Sequence, residues 1–356
     1  MRSAVTEDPS STGPATRTKA LPDGAGDARA WVRILAQYRE PSTLRSAYEL
    51  AVTLLPFAAI WALAWYCLSI SYLLAAVLSV ANAAFLVRLF VVQHDCGHGS
   101  FFRSRALADW IGRGLGVLTL TPYDVWKYKH ALHHASAGNL DERGIGDITT
   151  LTVEEYRALT PFGRFRYRLY RNPLILFCVG PFYLFFIENR LPVGVMRKGE
   201  RFWISAMGTN VALAAGLTAV VVWGGFAPLL LVYLPTAMVG ACIGVWLFYV
   251  QHQFEETHWD REEDWNLQEA ALHGSSHYVL PGVLRWLSAN IGIHHVHHLQ
   301  SRVPFYRLPT ILRDHPSLNE VQRLTLLDSL RATRLHLWDG KSRRLVSFAE
   351  ARAIQS

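Results

Sequence analysis

The stretch that decides the fold is SYLLAAVLSVANAAFLVRLFVVQHDCGHG at 71–99. From Tyr72 to Val92 it is apolar for about twenty residues, the length at which a helix crosses a bilayer. It then turns polar at once, and the polar residues are His94-Asp95-Cys96-Gly97-His98. His94 and His98 stand at i and i+4, on one face of a helix. A spanning helix thus delivers two imidazoles to the membrane edge.

Working outward, a first span reads from about 50 to 68, joined to the second by Ser69-Ile70-Ser71. Two further blocks, 203–223 and 229–249, are joined by Gly224-Gly225-Phe226-Ala227-Pro228. With 51% hydrophobic residues gathered into such blocks, the chain reads as an all-α polytopic membrane protein. Four spans in two hairpins would carry a helical cap. Residues 1–30 are rich in Ser, Thr, Pro, Gly and charge, which predicts a disordered tail and not a secretory signal. Residues 31–49 carry an amphipathic pattern (Trp31, Ile34, Leu35, Tyr38) that predicts one helix lying on the membrane face. The block 173–189 is short, with Pro181 inside and Glu188 near its end, and reads as re-entrant or interfacial. The membrane domain extends over 50–310, and 311–356 is expected as a C-terminal cytoplasmic segment.

Lys and Arg give the orientation. The two hairpin links carry none, whereas 1–49 carries seven, 94–172 eleven, 190–202 four and 251–356 twelve. By the positive-inside rule the links face out. Both termini and all the histidine clusters then face the cytoplasm, in a cytoplasmic-membrane protein. The net charge of +7 is spent on this asymmetry, and no nucleic-acid partner is expected.

The remaining clusters are His130-Ala131-Leu132-His133-His134 and His294-His295-Val296-His297-His298. Each holds histidines at i, i+3 and i+4, a spacing that predicts three side chains converging on one point. His295 falls outside that frame. Eight imidazoles exceed what one metal ion uses, which suggests two ions. Carboxylate-bridged di-iron bundles use two Glu-x-x-His motifs, and the chain has only one, Glu255 to His258, so a histidine-only pair of irons fits better. Val92-Gln93-His94 recurs as Val250-Gln251-His252 at the end of the other hairpin, which nominates His252 as a ninth ligand over His258. Asp95 reads as an acceptor that orients a ligand imidazole. His273, His277, His315 and His336 read as ordinary polar residues, and Cys96 as a small filler. The run Arg164–Arg171 reads as a face for anionic headgroups. A metal transporter should keep its ligands within the spans. These hold only Asn82, Arg88 and Asn210, which argues against transport.

On the motifs HDCGH (94–98), HALHH (130–134) and HHVHH (294–298), the chain resembles the integral-membrane fatty acid desaturases. GSSHYVLPGVLRWLSANIGIHHVHHL (274–299) and FYVQHQFEE (248–256) extend the likeness to bacterial acyl-lipid desaturases of the methyl-end, delta-12 or omega-6, type. The resemblance implies a four-span, mushroom-like fold with a cytoplasmic cap. It implies a non-haem di-iron centre ligated by His94, His98, His130, His133, His134, His294, His297 and His298, with His252 in addition. The implied reaction uses O2 to place a cis double bond in a membrane-lipid acyl chain. Front-end desaturases carry Gln where this chain has His294. A His-Pro-Gly-Gly haem-binding domain is not found, so electrons are expected from an external donor such as a ferredoxin with its reductase. A hydroxylase, ketolase or alkane monooxygenase of the same superfamily would share the site and give an oxygenated product.

Overall fold

The computed structural model describes residues 28–354 except residue 145. Four helices are long and apolar enough to cross a membrane: Thr43–Cys67, Tyr72–His98, Glu200–Gly224 and Phe226–His252. Ser42 and Ser71 cap the first two, each accepting from the backbone N–H three residues on at 3.3 Å. The second helix stops at Gly99, whose φ of 64° a side chain would resist. At 27 residues it is about 40 Å long, against about 30 Å of hydrocarbon. Its last turns therefore project beyond the membrane with His94 and His98. Phe226–His252 is equally long and delivers His252 in the same way.

The hairpins meet through their long helices. A Cβ on Gly240 would lie 3.0 Å from Leu86 Cδ2, so glycine lets the two helices approach closely here. Above the spans, a mainly helical cap packs around buried Phe101, Val250, Leu272, Val296 and Phe305.

Residues 31–49 differ from expectation. The helix Ala28–Leu35 and a 3₁₀ turn Ala36–Tyr38 end before Pro41, and Thr43 starts a new helix that is already the first span. Pro41 disfavours helical backbone at Glu40, and Ser42 caps the new start. The first piece buries Ala28, Trp31 and Leu35 in the cap's own core, so its apolar face meets protein and not lipid. The predicted tail, apart from residues 28–30, lies outside the described residues.

Residues 311–356 are stitched into the cap by short strands. Leu151-Thr152 pairs parallel with Leu337-Trp338, and Leu337–Asp339 pairs antiparallel with Arg344–Val346. His277-Tyr278 pairs parallel with Arg323-Leu324. The fold stays all-α in class with these small sheets at its edge.

Ile175–Arg190 contains two π-helical stretches and is bent 58° from Pro161–Tyr170. Both its flanks are tied to groups beside the histidine clusters. Arg171 donates to Gln253 Oε1 at 2.9 Å, and Lys129 Nζ reaches Glu188 Oε1 at 3.3 Å. Arg171 therefore does not belong to an exposed basic face. It is buried and bonds Thr149, Thr150, Gln253 and Leu335. Only Arg164, Arg166 and Arg168 of that run are exposed.

Candidate metal centre

The helices Tyr72–His98, Tyr123–Ser136, Leu234–His252 and His294–Leu299 bring nine imidazoles, five buried and four half-buried, into one layer. They form two groups, within each of which one ring nitrogen per residue lies within 4.8 Å of every other. One group is His94, His98, His130, His134 and His297; the other is His133, His252, His294 and His298. The groups abut, with the rings of His134 and His298 stacked at 4.0 Å.

The i, i+3, i+4 triplets therefore do not converge on one point. A helix turns about 100° per residue, so i and i+4 diverge by about 40° and i+3 departs from i by about 60° to the other side. Each i, i+4 pair stays together: His94 with His98, His130 with His134, His294 with His298. The i+3 residues, His133 and His297, turn to the opposite group.

Within the five-histidine group the Nε2 atoms run in a chain from His94 through His98, His130 and His134 to His297, with steps of 3.3, 3.0, 3.1 and 3.1 Å. Hydrogen bonds do not account for this chain. An imidazole nitrogen carries either a proton or a lone pair, never both, so at most two of the four steps can be hydrogen bonds. In the other group, His252 Nε2 stands 3.2 Å from His133 Nε2 and 3.1 Å from His294 Nε2, with the same difficulty. Ligands held at ~2.1 Å from one metal lie about 3.0 Å apart in an octahedron and about 3.4 Å apart in a tetrahedron. The neighbour distances match that spacing, and all the donors of each group lie within 4.8 Å of one another, so the donor sets fit a metal ion each.

Charge agrees with this fit. Burial, reinforced by the neighbouring imidazoles, holds His130, His134, His294, His297 and His298 well below the ordinary histidine value. They are neutral at pH 7, the form in which imidazole ligates a metal.

Three rings are gripped from behind. Asp95 Oδ1 lies 3.1 Å from His94 Nδ1, while its Oδ2 accepts from Phe305 N at 2.7 Å. His252 Nδ1 lies 3.2 Å from the Gly274 carbonyl. His133 Nδ1 lies 2.5 Å from Asp147 Oδ1. Asp147 was not singled out by the sequence, where only a Gly-Asp pair in a polar loop marks it. Burial alone would raise its carboxyl, and the His133 imidazole more than offsets this, leaving it below the usual value. Trp126, also unforeseen, stacks on His130 at 4.6 Å and 16°.

The other histidines stand apart. His295 Nε2 lies 2.9 Å from the Leu318 carbonyl, and His258 pairs with Asp260 at 2.6 Å. His273 meets Glu269 at 3.4 Å, and His277 Nδ1 lies 3.0 Å from Asn319 O. His315 lies beside Trp31 and Tyr38, and His336 stacks on Phe348. Cys96 is a free thiol buried in the core.

A family model described as fatty acid desaturase matches residues 70–325, which include every residue of both groups. A fatty acid desaturase of Bacillus subtilis is 43% identical over 320 residues, covering 90% of each chain. An sn-1 acyl-lipid omega-3 desaturase (ferredoxin) of Synechocystis sp. is 30% identical over 280 residues, 76% of this chain and 74% of that one. An sn-1 oleoyl-lipid 12-desaturase of Synechocystis sp. is 26% identical over 271 residues, 72% of this chain and 70% of that one. The apolar helices, the nitrogen-lined centre at their ends and these likenesses agree: the chain is an integral membrane enzyme that belongs to the fatty acid desaturase family.

Proposed function

We propose that the chain is an oxygen-dependent acyl-lipid desaturase of the methyl-end, delta-12 or omega-6, type. In this reading the five-histidine and four-histidine groups each hold one iron. The observation that carries it is the pair of abutting, nitrogen-only, buried sites at the ends of spanning helices. An unactivated methylene offers no handle to a side-chain acid or base, and bound iron supplies the oxygen chemistry that removes its hydrogens. The balance is two hydrogens from adjacent methylenes, two electrons from an external donor, two protons from solvent, and dioxygen leaving as two waters.

The protein's own share is position and dryness. Asp95, Asp147 and the Gly274 carbonyl fix ring orientation. Trp126 stacks on the His130 ring, and Phe248 lies tilted against those of His133 and His252, which gives the centre apolar walls. Helices that end at the ligands let an acyl chain enter from the lipid while its headgroup stays at the surface. The ties at both flanks of Ile175–Arg190 support a re-entrant segment, four spans, and a centre on the cytoplasmic side of the cytoplasmic membrane. Relatives named for omega-3 and 12-desaturation, and for ferredoxin, support the methyl-end class, a lipid substrate and a ferredoxin donor.

The test is expression in a host that lacks polyunsaturated lipids, with a ferredoxin and its reductase, followed by mass spectrometry of the lipids. Loss of two mass units, with the new double bond at delta-12, is expected. A gain of oxygen would convert the reading to a hydroxylase, and a double bond on the carboxyl side of an existing one would overturn the methyl-end assignment.

A further inference from the structure

The two groups are backed differently. In the five-histidine group the carboxylate behind His94 is its chain neighbour, Asp95, on the same helix. In the four-histidine group the carboxylate behind His133 comes from a loop, and the loop is built to bring it there. Gly146 has a φ of 75°, and a Cβ on it would sit 3.4 Å from both His133 Cβ and the Lys129 carbonyl. The backbone thus passes in van der Waals contact with the helix Tyr123–Ser136, and its positive φ is what calls for glycine here. Asp147 follows directly, its side chain 7% exposed and that of His133 1% exposed.

The loop is anchored just beyond. Thr149 N donates to Tyr170 Oη at 3.0 Å, and Arg171 Nη1 donates to Thr149 O and to Thr150 Oγ1, both at 3.3 Å. Thr150 Oγ1 donates to Gln253 Oε1 at 3.2 Å. Gln253 directly follows His252, so one short segment is tied to two of the four imidazoles in this group.

We infer that Asp147 is a positioning residue for the four-histidine group alone: it fixes His133 with Nε2 turned inward, and so sets how tightly that group holds its metal. The inference rests on the reading that each group binds one iron. A carboxylate behind a metal-ligating histidine sets ring orientation and basicity, and losing one weakens metal binding about 10- to 100-fold.

The test uses full-length protein purified in detergent and loaded with ⁵⁷Fe. Groups of five and of four nitrogens should give two distinguishable Mössbauer doublets, each from one iron per chain. In Asp147→Ala one doublet is expected to shift or vanish and the other to remain. Under increasing chelator, one iron should leave at about 10- to 100-fold lower chelator than in the wild type. Asp147→Glu should recover part of the affinity. Should the Ala variant fail to fold, Asp147→Asn keeps the shape and carries the same expectation. Wild-type protein that binds no iron would sink the functional reading itself. Two unchanged doublets in the variant, or equal loss of both irons from folded protein, would overturn the inference alone.

Discussion

The strongest test of the packing behind the centre is Glu49→Gln. Arg88 lies inside the second span with its side chain 1% exposed, and Glu49 on the first span is 4% exposed. Arg88 Nη2 donates to Glu49 Oε2, Nη1 donates to the Trp286 carbonyl, and Nε donates to Thr53 Oγ1 at 3.0 Å. The guanidinium lies 4.1 Å from the Trp286 ring centroid and 5.3 Å from that of Phe305. Glu49→Gln keeps the shape and strands the cation. Removing one partner of a buried pair costs about 3–5 kcal/mol. The second contact of Glu49, to Arg45, adds little because that side chain is 54% exposed and screened. A loss of this size lowers the thermal midpoint of a chain this long by about 4–7 °C. Activity should fall as well. Phe305, beside the guanidinium, donates its N–H to Asp95, which stands behind His94. Replacing both partners by apolar residues of similar volume (Glu49→Leu with Arg88→Met) should restore most of the midpoint, because no charge is then left unpaired. The assay is thermal unfolding in detergent across the double-mutant cycle. A Glu49→Gln midpoint within about 2 °C of wild type, or a double variant no better than the worse single one, would refute the reasoning.

Three further outcomes are expected. His297→Ala and His252→Ala should each abolish unsaturated product in lipid analysis by gas chromatography, whereas His295→Ala, whose ring faces the Leu318 carbonyl, should keep partial activity; a fully active His297→Ala enzyme would contradict the assignment. Gly146→Ala should cost at least tenfold in turnover, on the order of what a displaced backing residue costs. Gly114→Ala, on a helix with ordinary backbone and where an added Cβ meets nothing within 4 Å, should be far milder. Metal-free protein should be acid-labile: the five imidazoles held well below 6.5 take up protons on unfolding but not while folded, so their contribution is whole above about pH 6.5 and is lost as pH falls below it. The slope is about 1.4 kcal/mol per pH unit for each imidazole that stays neutral, and a midpoint flat from pH 7.5 to 5.5 would exclude it.

Much of the fold was legible because the bilayer imposes a strong, local constraint on sequence. Twenty apolar residues in a row have few alternatives, and the four spans fall near where hydropathy puts them. His252 was legible for a related reason. The repeated Val-Gln-His at 92–94 and 250–252 marks two helices that leave the membrane at equal depth. Where signals were weak or non-local, the reading ran out. The break at Pro41 was overridden by the amphipathic pattern on either side of it. Strands of two or three residues have no measurable periodicity, and their partners are distant: Leu151 pairs with Leu337. Asp147 had no helical register to declare it. Its place depends on a glycine crossing and on Arg171, which looked like one more surface cation.

The split of the histidines between two groups sits between these cases, and helix geometry explains it. Rotation of about 100° per residue fixes that i and i+4 act together and that i+3 departs, whatever surrounds the helix. What rotation cannot fix is which neighbour each direction meets. His130 meets His98 at the end of Tyr72–His98, and His294 meets His252 at the end of Leu234–His252, the two long helices packing together where Gly240 faces Leu86. Only His133 and His297 exchange sides, so each of the two helices contributes to both groups. A one-residue insertion between His130 and His133 would turn His133 and His134 by about 100° and strip ligands from both groups at once.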